Sequence, residues 1–237
     1  MKNNIKDNFN KAAKIYNQNA ILQKKVANEL IDFCLPYIQS SSKIIDLGSG
    51  TGFLYDFISK KYQILDFYCL DLAINMLKES KSNFKINSDI NHLPLQSNSF
   101  DLVISSLALQ WVTDFKAVFG QIYDILLPKG LFCFSTIANN SLPNLCQLNI
   151  KNLNINQFIS KESLEDCLKT FSSYKVIEKK ITLKYDNYYD LLQSIKKIGA
   201  GFSLNSNLPI KIVDLRKLMD IKDISDDWNI IYIIAKK

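Results

Sequence analysis

From Lys43 to Thr136 the chain alternates short apolar runs of strand length with segments whose apolar positions recur at helical spacing. The runs are Ile44-Ile45, which closes on Asp46, then Gln63–Asp71, which also closes on an acid, then Phe84–Ile86, Ser99–Leu109 and Leu131–Thr136. Between them, Phe53–Lys60, Asn75–Ser82 and Phe115–Leu127 carry helical periodicity, and Pro128-Lys129-Gly130 reads as the stop signal of the last. An alternation of the form βαβαβαβαβ predicts a parallel, doubly wound sheet.

Ahead of the first run, Phe9, Ala12, Ala13, Tyr16 and Ala20 share one helical face, continued by Leu22, Val26, Leu30 and Phe33. This predicts a helical lid over about residues 5–35, from which Tyr16 and Gln23 can reach the cleft it covers. Beyond Thr136 the simple alternation stops. Ser141–Leu148 and Ser160–Thr170 read as helices, the second capped by Ser160 or Ser163. Tyr174–Tyr185 alternates like a strand, Tyr188–Ile198 and Lys211–Met219 read as helices around a break at Gly199–Gly201, and Asn229–Lys236 as a final strand. The expectation is one domain over residues 1–237, with helical cap insertions at about 141–170 and 188–220.

Composition narrows the chemistry. A hydrophobic content of 47% with 22% charged residues is that of a globular protein. No apolar run reaches the roughly 18 residues of a membrane span, and the first 14 residues are polar. A cytoplasmic protein with no membrane partner is expected. The five cysteines are scattered without a C-x-x-C pair, which points to reduced, buried thiols and no zinc site. His92, the single histidine, stands beside a turn and reads as a surface residue, so neither a histidine metal cluster nor a Ser-His-Asp triad can be built. The net charge of +6 comes almost wholly from dispersed lysines, Arg216 being the only arginine. That gives no basic stripe for nucleic acid, and it suits an acidic protein partner.

The densest candidate chemistry lies at Lys43–Phe53, K-I-I-D-L-G-S-G-T-G-F. An acid at a strand end (Asp46) precedes Gly48, Ser49, Gly50 and Gly52, and a helix starts beyond them. Glycine permits a positive-φ turn and a close approach of ligand to backbone. The spacing is neither G-x-G-x-x-G nor that of a P-loop. An acid in this place would repel a pyrophosphate and suits a ligand that carries an ammonium group. Asp71, nineteen residues after Gly52, ends the second strand with Leu72 behind it, where an α/β nucleotide site places its ribose-binding carboxylate. Asp89-Ile90 follows the third strand, and Ser105 falls near the end of the fourth.

With its Phe100-Asp-Leu-Val strand and Leu126-x-Pro128-x-Gly130, this set resembles the class I S-adenosylmethionine (SAM) methyltransferases. The resemblance implies an α/β, Rossmann-like fold with a mostly parallel seven-stranded sheet, helices on both faces and a helical cap. It implies SAM as cofactor and S-adenosylhomocysteine as product. Asp46 would meet the methionine end, the glycines would floor the pocket, Asp71 would accept the ribose hydroxyls, and Asp89-Ile90 would hold the adenine.

A narrower likeness runs over nearly the whole chain. Phe9…Ala12-Ala13…Tyr16…Ala20…Gln23, Ala108-Leu-Gln-Trp-Val-Thr-Asp-Phe, Leu127-Pro-Lys-Gly-Leu-Phe-Cys-Phe-Ser-Thr, Asn140-Ser-Leu-Pro-Asn-Leu and Lys197-Ile-Gly-Ala resemble the malonyl-acyl-carrier-protein O-methyltransferases of biotin synthesis. The resemblance implies methylation of the free carboxyl of a malonyl thioester on acyl carrier protein or coenzyme A, and a monomer is expected. Tyr16, Gln110 and Trp111 are the expected catalytic residues lining the cleft, with no metal. Lys151, Lys161, Lys196 and Lys197 are candidates for docking the acidic carrier. Gln157 stands where many relatives carry an arginine suited to clamping the carboxylate. Two other likenesses compete: an assembly factor of respiratory complex I with the same fold, and a methyltransferase for another small carboxylic acid.

Overall fold

Ile44 and Ile45 are both fully buried, and they enter two different cores. Neighbours along a strand point to opposite faces of the sheet, so this one pair shows that helices cover both. Ile44 packs with Leu22, Val26 and Leu30 from one side, and Ile45 with Val118, Phe119 and Ile122 from the other. The computed structural model describes residues 2–62, 66–150, 158–200 and 212–237.

The seven strands are β1 (Ile44–Leu47), β2 (Phe67–Asp71), β3 (Phe84–Asn87), β4 (Phe100–Ser106), β5 (Leu126–Ile137), β6 (Ser173–Asn187) and β7 (Lys222–Lys236). They form one sheet in the order β3-β2-β1-β4-β5-β7-β6, in which β7 alone runs against its neighbours. This is the mostly parallel seven-stranded sheet that the resemblance implies. The helices are α1 (Lys2–Asn19), α2 (Ile21–Cys34), α3 (Phe53–Lys61), α4 (Ile74–Glu79), α5 (Phe115–Ile125), α6 (Pro143–Gln147), α7 (Lys161–Leu168), α8 (Tyr188–Lys197) and α9 (Ile212–Asp220). Of the two candidate caps for α7, Ser160 takes the role and accepts from the Ser163 N–H at 3.2 Å.

Several boundaries differ from expectation; the strand expected over Ser99–Leu109, for one, ends at Ser106. Helix α5 ends at Ile125, and Leu126 already belongs to β5, five residues before the expected start. Leu126 is fully buried, and the Pro-Lys-Gly segment forms a bulge inside the strand, where the register steps from Phe100↔Leu126 to Leu102↔Leu131. Strand β7 starts at Lys222 instead of Asn229 because it pairs with β6 as far as Asn187↔Lys222, a long two-stranded ribbon that carries polar residues into extended structure. The expected strand start at Gln63 lies outside the described residues. Cys34, Cys69 and Cys133 are buried as expected, but Cys146 is exposed, since it lies on the outer side of the short α6. His92 is exposed.

The N-terminal helix is fastened at several points. Asn10 accepts from the Asn75 N–H at 2.9 Å, Thr51 Oγ1 donates to Asn17 Oδ1 at 2.6 Å, and the Phe9 ring meets the Trp111 ring edge-on at 5.8 Å. A Cβ on Gly199, just past α8, would lie 2.9 Å from the Phe9 Cα. Helix α1 thus sits against both α4 and the end of α8, over the carboxyl ends of the strands.

Candidate active site

The strand order reverses between β1 and β4, and in an open parallel sheet the ligand crevice opens at the carboxyl ends of such a pair. Asp46, Asp71, Asp89 and Ser106 all arrive there by chain direction alone. The glycine turn connects β1 to α3 with Gly48, Gly50 and Gly52 at φ of 71°, 55° and 85°. These three glycines do different things. A Cβ on Gly48 would lie 2.3 Å from the Ala108 Cβ, and one on Gly52 would lie 2.5 Å from Ser80 Oγ. A Cβ on Gly50 would meet nothing within 4 Å and would point into open cleft.

The cleft is a chain of three chambers. The first, of about 110 Å³, is bounded by Gly48, Gly50, Asp71, Leu72, Asp89 and Ile90, with Tyr16 and Trp111 above. A small second chamber, of about 30 Å³, lies deeper, against Asp46, Ser49, Tyr16 and Gln23. The third, of about 140 Å³, runs under the lid between Gln23, Gln110, Trp111, Tyr185, Ile195 and Trp228. Tyr16 borders the first two, Gln23 the last two, and Trp111 the first and third.

Charge is unevenly placed along this path. Asp46 is 1% exposed, and its Oδ1 has no hydrogen-bond partner. Burial, and then the neighbouring Asp71, push its carboxyl well above the ordinary range. Ser49 Oγ, in the same chamber, is also buried and unpartnered. Buried polar atoms are normally satisfied, and an acceptor pair of this kind suits an ammonium group. Asp71 is raised by burial, partly offset because its two oxygens accept from the Ala73 and Gly50 N–H groups at 2.8 Å each. Asp89 Oδ1 accepts from the Asn91 N–H at 2.9 Å and from its side chain at 2.7 Å, which fixes the loop after β3. Burial, then Asp71, raise the Tyr16 phenol, so it stays protonated and can donate.

Ten of the thirteen expected site residues border the first two chambers: Tyr16, Asp46, Gly48, Ser49, Gly50, Asp71, Leu72, Asp89, Ile90 and Trp111. Gln110 lies on the third, its Nε2 donating to the Leu107 carbonyl at 2.6 Å and its Oε1 buried without a partner. Two do not reach the cleft. Gly52 packs against Ser80 where α3 begins, a backbone role. Ser105 is fully buried within the sheet, and its hydroxyl donates to the Leu47 carbonyl at 2.7 Å, tying β4 to β1. Its neighbour Ser106 takes the cleft-facing place, because adjacent strand residues face opposite ways. Gln157 and Lys151 lie outside the described residues. Lys161 is engaged with Glu178 at 2.7 Å, while Lys196 and Lys197 are exposed on the last turn of α8. Tyr185, at the end of an expected strand, and Trp228, just ahead of another, line the third chamber and carry no site signal in the sequence. Among the described residues no group of acids, histidines and cysteines could hold a metal ion, and no helix is long and apolar enough to cross a membrane.

Residues 45–134 match the family described as "Methyltransferase domain". The chain is 32% identical over 212 residues to a malonyl-[acyl-carrier protein] O-methyltransferase from Gallionella capsiferriformans, covering 81% of this chain and 72% of that protein. It is also 32% identical over 201 residues to the protein of the same name from Hamiltonella defensa, covering 81% and 75%. Among solved structures, the YcgJ protein of Bacillus subtilis superposes with a TM-score of 0.64 at 16% identity, over 90% of this chain and 98% of that one.

Proposed function

The chain belongs to the malonyl-[acyl-carrier protein] O-methyltransferase family, with the class I methyltransferase fold, and on that premise we propose that it transfers the methyl group of SAM to the free carboxyl of malonyl-acyl carrier protein. The product is the malonyl methyl ester that primes biotin synthesis. The observation that carries this reading is the contrast between neighbouring chambers. The first two hold the acids, with Asp46 and Ser49 unpartnered, whereas no aspartate, glutamate or histidine among the described residues borders the third.

The acidic side suits SAM. Asp46 and Ser49 would take its ammonium group, Asp71 its ribose hydroxyls, and Asp89 with Ile90 its adenine, while Gly50 leaves the floor open. Bound SAM supplies an electrophilic methyl: a carboxylate oxygen forms the new O–C bond as the S–C bond breaks, and the electron pair stays on sulfur. A carboxylate is already ionised at neutral pH, so no proton has to move and no general base is required. A third chamber without a base therefore fits this acceptor better than an alcohol or an amine. The lid residues Tyr16 and Gln23, with Gln110 and Trp111, border the passage between cofactor and acceptor and would orient the two and exclude water. Removing the negative charge lets an ordinary chain-elongating enzyme accept the thioester. The exposed Lys196 and Lys197 would help dock the acidic carrier to a monomer acting in the cytoplasm.

Expression of the chain in a biotin auxotroph that lacks its own malonyl-thioester methyltransferase tests the reading. Growth without biotin is expected. No growth from soluble, correctly folded protein would refute it.

A further inference from the structure

The substrate carboxylate needs donors, and the sequence limits where they can come from. Arg216 is the only arginine, and it is exposed on α9, away from the walls of the third chamber. Lys184 is the single cation on that chamber's border among the described residues, and it too is exposed. Inside, the wall is apolar except for a few neutral groups. Trp228 is 5% exposed, and its Nε1 is buried with no hydrogen-bond partner. A tryptophan N–H is a donor only, and a buried donor left unpaired is a standing cost. The Tyr185 hydroxyl faces both Trp228 and Ser194 on the same wall, and burial, the largest influence on it, keeps it protonated as a second donor.

Neither residue serves the sheet by its polar atom. Trp228 pairs with Ile181 through backbone alone, and its ring belongs to the core formed with Leu191, Ile195 and Tyr188. A phenylalanine would satisfy both needs. The N–H faces the Tyr185 hydroxyl without closing a hydrogen bond of ordinary geometry, and packing gives it no other use.

We propose that the Trp228 Nε1–H, seconded by the Tyr185 hydroxyl, holds the malonyl carboxylate in the third chamber, so that this chain recognises its acidic substrate through neutral donors. The inference rests on the methyltransferase reading above and adds the binding subsite. Its chemistry has two consequences. A carboxylate oxygen held by neutral donors keeps more electron density than one paired with a guanidinium, and so remains the better nucleophile toward the methyl group. After transfer the ester has lost its charge, and hydrogen bonds to a charged acceptor are roughly twice as strong as neutral ones. The product is therefore held more weakly than the substrate, which favours release.

The test compares binding of S-malonyl-pantetheine and its methyl ester to the full chain by calorimetry, in the presence of S-adenosylhomocysteine. Wild type is expected to prefer the acid over the ester. Trp228→Phe is expected to bind the acid about 10- to 100-fold more weakly, the range for a lost hydrogen bond to a charged group, with ester binding and S-adenosylhomocysteine affinity unchanged. Tyr185→Phe is expected to act in the same direction and serves as the second reading if Trp228→Phe disturbs the fold. Acid binding retained in both variants, or lost in Lys184→Gln alone, overturns the proposal. A wild-type protein that binds neither thioester refutes the methyltransferase reading instead, so the two failures are distinguishable.

Discussion

Asp71 Oδ2 accepts the Gly50 N–H at 2.8 Å and so ties the end of β2 to the middle of the glycine turn. Its Oδ1 takes the Ala73 N–H at the same distance and holds the start of α4. One carboxylate therefore braces the cradle from both sides, and each oxygen retains a further lone pair for a ligand hydroxyl. Asp71→Ala is expected to weaken SAM binding by roughly 10- to 100-fold, as a charged acceptor of two ligand hydrogen bonds is lost. Asp71→Asn, which keeps one acceptor oxygen, is expected to fall between the two. Equal titration affinities for all three proteins would remove Asp71 from the cofactor site.

The three turn glycines should separate by phenotype. Gly50→Ala places its methyl in open cleft at a positive φ, so the strain is about 1–2 kcal/mol of stability and the main loss is cofactor affinity. Gly48→Ala forces a methyl to 2.3 Å from Ala108, adding about 1–3 kcal/mol of overpacking to the same strain. Thermal melts and SAM titrations on the pair check this. A Gly48 variant more stable than the Gly50 variant would contradict the assignment of their roles.

Asp46 sets a pH dependence whose sign follows from burial. Its carboxyl in the folded chain is raised well above 3.8, first by desolvation and then by Asp71, which is itself raised. The folded form therefore holds protons that the unfolded chain has already released. In the absence of SAM, stability should fall as pH rises from the ordinary carboxylate range through the raised folded value of Asp46. Asp46→Asn removes the largest contribution, so urea unfolding followed across that window should show a flatter slope. Identical slopes would mean that Asp46 is not ionising there.

Ser105 and Ser106 offer a contrast between adjacent residues. Ser105→Ala loses the bond to the Leu47 carbonyl and should lower stability by about 1 kcal/mol without changing cofactor affinity. Ser106→Val narrows both chambers that Ser106 borders and also removes its hydroxyl contact with buried Ser135 at 3.3 Å, so it should lower cofactor affinity as well as stability. Melting temperatures and binding isotherms of the two variants decide between them.

Much of this was legible in the chain because the sheet is buried on both faces. Short, largely apolar runs such as Phe100–Ser106, set between helical segments, read as central strands, and acids at the ends of such runs mark the crevice without any knowledge of contacts. Strand alternation does not say which of two adjacent serines looks outward, so the sequence points to Ser105 where Ser106 faces the cleft. The polar start of β7 was hidden for another reason: Lys222–Asp227 becomes extended by pairing with β6, a tertiary effect that overrides composition. Trp228, in the sequence Asp226-Asp227-Trp228, gives no sign of lining a chamber, because the side chains that share it come from β6, α8 and segments as distant as Leu22 and Gln110. Pocket walls assembled from distant segments are what a single sequence conceals.

The central claim is the reaction itself. Purified chain incubated with SAM and malonyl-acyl carrier protein, followed by mass spectrometry of the intact carrier, should convert the malonyl thioester to a species heavier by one methylene, with S-adenosylhomocysteine formed in equal amount. Acetyl-acyl carrier protein, which has no free carboxyl, should remain unchanged. A malonyl carrier of unaltered mass after SAM has been shown to bind, or a mass gain on the acetyl carrier as well, would contradict the account.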